Sequence, residues 1–175
     1  MPGINFLQYA HKKDIVEQVP LFGICDKPGE RPAFISLNDD ETWVATVYNP
    51  NLKKIQFLPV DNHIPLERED GTKLKRCDAM LLTSPTHDKE IVIFVELKDV
   101  IARARNAAKN QAIEQLKQTI ESFSEYHQLA SYKIRHAYVA NRKQPTAKQA
   151  HTKDIQEFRK NYRITLKFSS TIIFP

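Results

Sequence analysis

Between residues 33 and 60, apolar positions rich in β-branched and aromatic residues gather in three short stretches, 33–37, 42–48 and 54–60, with polar residues between them. The stretches are separated by Asn38-Asp39-Asp40 and Asn49-Pro50-Asn51, and this pattern predicts a β-meander. Two further strands, 76–82 and 90–98, are predicted on either side of a polar turn at 83–89, and the second holds an apolar run at 91–95 that reads as a strand apolar on both faces. After residue 98 the period changes to 3.6, with Ile113, Leu116, Ile120 and Phe123 on one stripe of a helix over 106–123. A strand at 133–140 follows. Pro145-Thr146 then opens a second helix that aligns Ala147, His151, Ile155, Phe158 and Tyr162, and residues 163–174 are extended. At the other end, Ile4, Leu7, Ile15, Val16 and Val19 predict an amphipathic helix over 4–19 closed by Pro20, and Pro28, Gly29 and Pro32 mark a loop. Strands, helix, strand, helix, strand is an α/β or α+β order.

The length of 175 residues suits one cored domain: a portion at 1–50 with the helix and meander, and a core at 51–175. The longest apolar run has five residues against roughly 20 for a membrane helix, so no span is expected. No basic stretch leads an apolar segment and cleavage site at the start, and the expected compartment is the cytoplasm. Cys25 and Cys77 read as reduced thiols. Four scattered glycines make no phosphate loop, and no serine or cysteine sits in a nucleophile elbow. His63, His87 and His136 lack a partner at metal-ligand spacing, and His151 falls on an apolar stripe where a packed histidine is expected.

Charge changes the picture, because it is divided unevenly. Residues 1–100 carry 12 basic and 16 acidic side chains, residues 101–175 carry 14 and 5, so the second half is a candidate surface for a polyanion. The local chemistry lies in Arg76-Cys77-Asp78 and Glu96-Leu97-Lys98. Side chains alternate along a strand, so Glu96 and Lys98 share a face. A hairpin symmetric about His87 puts Asp78 opposite Glu96, Met80 opposite Phe94 and Leu82 opposite Val92. Opposed residues have Cβ atoms roughly 4.5–5.5 Å apart, close enough for two carboxylates to share a hard cation such as Mg²⁺. Lys98 beside them could hold a water or balance charge developing on a phosphate. The triplet alone is weak, since 21 acids and 17 lysines give about two acid-x-Lys matches by chance. Its position at the end of an apolar strand, after an acid on the neighbouring strand, is what makes it specific.

Over roughly residues 54–140 this arrangement resembles the PD-(D/E)XK nuclease superfamily. The resemblance implies a restriction-endonuclease-like α/β fold, a central mixed sheet flanked by helices, and Mg²⁺- or Mn²⁺-dependent hydrolysis of nucleic acid, DNA in preference to RNA. It implies Asp78, Glu96 and the Leu97 backbone carbonyl as metal ligands, with Lys98 assisting the attacking water. Gln115-Leu116 resembles the Gln-plus-apolar pair that several of these families carry on the next helix; a 100° step per residue puts Gln115 at the edge of the buried stripe. Glu17 is a candidate further acid, and Lys75, Arg76, Arg103 and Arg105 are candidate nucleic-acid contacts. Cys77 stands where the superfamily has its proline, which is not a ligand. A homodimer would bring two sites to two strands. The rival expectation is a non-catalytic nucleic-acid- or protein-binding regulator or immunity factor on the same fold.

Overall fold

The structure is a computed structural model that describes residues 3–27, 29, 31–38, 42–83, 90–101, 105–143 and 151–175. The predicted turn centre His87, the helix opening Pro145-Thr146 and Arg103 lie outside the described residues. The class is α/β, with two mixed sheets and, among the described residues, two α-helices.

Five strands carry the first part of the chain: β1 Ile15–Val16, β2 Leu21–Cys25, β3 Phe34–Ser36, β4 Ala45–Tyr48 and β5 Ile55–Pro59. Next come β6 Ala79–Thr83, β7 Ile91–Lys98, α1 Arg105–Tyr126, β8 Ile134–Asn141, α2 Thr152–Tyr162, β9 Thr165–Phe168 and β10 Thr171–Ile173. One sheet has six strands in the order β1-β5-β6-β7-β8-β9, and the other has four, β10-β4-β2-β3. β7, β8 and β9 run parallel to one another, whereas β5, β6 and β7 pair antiparallel. The β6–β7 register matches Met80 with Phe94 and Leu82 with Val92, as hairpin symmetry predicts.

β7 is buried along all but its last residue because both of its faces are covered. Phe94 and Val92 face the helix layer of Ala112, Leu116, Ile120, Phe123 and Phe158, whereas Val95 and Ile93 face the second sheet through Phe22, Ile24, Val47 and Ile172. The helices therefore occupy one face of the six-stranded sheet, and a sheet rather than a helix covers the other. That corrects the expectation of a sheet with helices as its only flanking layer. The apolar faces of β2, β4 and β10 need a sheet partner of their own, and β5–β7 provide it. The two helices are joined along their polar side by Lys109–Asp154 at 2.9 Å, Lys117–Glu157 at 2.6 Å and the Tyr162 hydroxyl on Glu121 at 2.7 Å.

Two local expectations are overturned. The helix over 4–19 is replaced by 3-10 turns Phe6–Tyr9 and Lys12–Asp14 and the short strand β1. A seven-residue gap between Leu7 and Ile15 breaks the helical stripe, and the two apolar ends go to different places. Phe6 packs edge-on to Phe123 with centroids 5.3 Å apart, while Val16 pairs with Ile55. The meander is also split: β3 and β4 both pair with β2, a strand that the sequence pattern does not predict, and β5 joins the other sheet. Gly23 in β2 is required there, since a Cβ would lie 2.1 Å from the Trp43 ring. Among the described residues no helix is long and apolar enough to cross a membrane.

Candidate functional site

β6 and β7 set the site by register. Asp78 immediately precedes β6, and Glu96 and Lys98 close β7, so the three arrive at one end of neighbouring strands. Antiparallel alternation turns the Leu97 N–H toward the β6 side, where it donates to Asp78 Oδ2 at 2.6 Å; its carbonyl faces the same side, because the Lys98 carbonyl is the one that accepts from Arg142 N in the β8 direction. The sequence-proposed ligands Asp78, Glu96 and the Leu97 carbonyl are thus neighbours.

Glu96 is 1% exposed. Its Oε1 receives Lys98 Nζ at 2.6 Å, while its Oε2 is buried without a hydrogen-bond partner among the described residues. Gln115 on α1 is the third party to this contact. Its Oε1 accepts from Lys98 Nζ at 3.1 Å and its Nε2 donates to the Arg76 carbonyl at 2.9 Å, so one amide holds the lysine and the strand leading into Asp78. The Thr119 hydroxyl, one turn on, accepts from Cys77 N at 2.8 Å and pins the same strand.

The electrostatics follow from packing acids together away from water. Burial pushes the Asp78 carboxyl up to about 7, against the pull of the Leu97 N–H, with Asp26 and Asp61 adding to the rise. Burial, then the neighbouring Asp78, raise Glu96 well above the ordinary carboxylate range, with Lys98 opposing. Partial burial raises Asp26, and Asp61 adds to it. Asp26 and Asp61 are the acids that sequence reasoning missed. Asp26 follows β2, a strand that the sequence pattern does not predict, and no spacing in the chain links either acid to Asp78.

A cavity of about 380 Å³ opens beside this end of β7, lined by Asp26, Thr42 and Val44 from the second sheet's side and by Leu97, Lys98, Asp99 and Arg142 from the first. Glu17 stands elsewhere. It is exposed and meets Lys54 Nζ at 3.4 Å, beside the β1–β5 pairing at the end of the sheet opposite Asp78. Arg76 is turned inward, its Nη1 donating to the Ile64 carbonyl at 2.9 Å and its Nε 3.3 Å from Asp61. Lys75 is exposed nearby, and Arg105 begins α1 with its side chain outside the described residues.

The donor set suits a hard cation: two carboxyl groups and a peptide carbonyl, all oxygen, with one carboxyl oxygen left without a hydrogen-bond partner among the described residues. Among the described residues no group of three or more His, Cys, Asp or Glu side chains is placed to hold a metal ion. Comparisons with protein-family models, curated proteins and solved structures gave no match.

Proposed function

We propose that the chain is a metal-dependent phosphodiesterase, a DNA nuclease of the PD-(D/E)XK type on a restriction-endonuclease-like fold. The observation that carries this reading is Glu96 Oε2, a buried carboxyl oxygen with no hydrogen-bond partner among the described residues, beside a second carboxyl group and an ammonium group. A buried oxygen of that kind is costly unless a ligand answers it. Asp78, Glu96 and the Leu97 carbonyl would hold Mg²⁺ or Mn²⁺, which supplies Lewis-acid chemistry and a more acidic bound water. Lys98, steadied by Gln115, places positive charge where a phosphate gains negative charge during attack. Its seat on Glu96 keeps the lysine at the site when no cation shares the carboxylate.

The test is cleavage of supercoiled, linear, single-stranded and branched DNA with Mg²⁺ or Mn²⁺. Cleavage should be lost in Asp78→Ala and Glu96→Ala variants that keep the native circular dichroism. Calorimetry gives the rival its chance: a wild-type protein that takes up neither ion belongs to the regulator or immunity-factor class instead.

A further inference from the structure

Past the ends of β7 and β8 the chain forms a tightly bonded corner. Asn141 brackets Val100, accepting from its N–H at 3.2 Å and donating to its carbonyl at 2.9 Å, and also accepts from Lys143 N at 3.3 Å. Arg142 N–H donates to the Lys98 carbonyl at 3.1 Å, which sets Arg142 next to the site lysine. Both side chains line the 380 Å³ cavity. The Arg142 fork holds Asp99 at two points, Nη2 to Oδ2 at 2.6 Å and Nε to Oδ1 at 3.2 Å, and Lys143 Nζ reaches Asp99 Oδ1 at 3.6 Å.

This fork is not needed to build the corner, which the Asn141 amide and the Arg142 backbone already fix. Arg142 and Asp99 are 39% and 40% exposed, and an ion pair that open to water adds little to stability. A guanidinium fork grips a phosphate with the same two-point geometry it uses on a carboxylate. Arg76, the basic residue nearest Asp78 in sequence, is enclosed and committed to Asp61 and Ile64.

We infer that Arg142 is the phosphate-holding residue of the site, and that the Asp99 carboxylate occupies the fork until a phosphodiester displaces it. The inference rests on the nuclease reading and names the contact by which that site holds its substrate. Asp99 then acts as a gate on affinity, because an arriving phosphate must win the fork from it.

The experiment is fluorescence anisotropy of labelled DNA with the full chain, Ca²⁺ replacing Mg²⁺ to hold hydrolysis off, over a series of salt concentrations. Arg142→Gln should weaken binding roughly three- to tenfold and flatten the log-affinity against log-salt slope by about one phosphate contact. Asp99→Asn should tighten binding by about twofold or more, since it frees the fork. Lys133→Gln, which alters an exposed cation at the other end of β8, should change neither affinity nor slope. Melting curves confirm that each variant is folded. Wild-type affinity and slope in Arg142→Gln, an equal loss in Lys133→Gln, or weaker binding in Asp99→Asn would each overturn the inference while leaving the nuclease reading standing. Wild-type protein that shows no salt-dependent retention of DNA overturns both.

Discussion

Asp78→Asn removes the most informative titrating group at the site while keeping an oxygen to accept the Leu97 N–H. Asp78 titrates near 3.8 in the unfolded chain and at about 7 in the fold. Between those values the native protein binds a proton that the unfolded chain has released. The native state therefore has its advantage at low pH and loses it as pH rises from about 4 to about 7. Taken between about pH 5 and about pH 8, the displacement from 3.8 to about 7 is worth roughly 2–3 kcal/mol. The assay is urea unfolding of wild type and Asp78→Asn in chelator-treated buffer at both pH values. Subtracting one protein from the other cancels the groups that Asp78 does not touch; Glu96, which Asp78 also raises, titrates with it, so the roughly 2–3 kcal/mol that wild type should lose relative to the variant belongs to the pair. Millimolar Mg²⁺ should return part of the loss at the higher pH to wild type only. If the two proteins give parallel stability curves, the account of Asp78 as a carboxyl crowded by burial and neighbouring acids is wrong.

Lys98→Ala should still retain DNA and take up Mn²⁺ in calorimetry, while cleavage drops at least about a hundredfold; nicking at the wild-type rate would strip Lys98 of its role. Gln115→Ala removes the amide shared by Lys98 and the Arg76 carbonyl, and should lower unfolding free energy by about 1–3 kcal/mol in urea titration. Gly23→Ala drives a methyl group into Trp43, with an expected loss of about 1–3 kcal/mol and a shift in the emission of this single tryptophan.

The site was legible because its geometry is local. Strand alternation and hairpin symmetry put Asp78, Glu96 and Lys98 together, and the 3.6 period placed Gln115 at the rim of the α1 stripe, where it meets Lys98. Features that depend on distant pairing were not legible. β2 is five residues with a glycine at its centre, and its strand character comes from the neighbours β3 and β4 rather than from its own pattern. Leu7 and Val16 look like one helix face until the core under the helices takes the first and the core between the sheets takes the second. The Arg142–Asp99 fork joins residues 43 apart and follows from the parallel β7–β8 register, which pairs Lys98 with Asn141. Counting basic side chains marks the second half as the more basic, but a count cannot tell a tethered cation from an exposed one, as Arg76 and Lys75 in the first half show.

The short link between β9 and β10 has a mechanical consequence. Ser169 N–H donates to Val139 O, and Thr46 N–H donates to Ser170 O, so two consecutive residues rivet the layers together at points two positions from Val44 and three from Arg142. A seam fastened this near to the opening opposes a hinge between its two walls. Any guest would meet an aperture whose width the two layers set beforehand, rather than a jaw that closes over it.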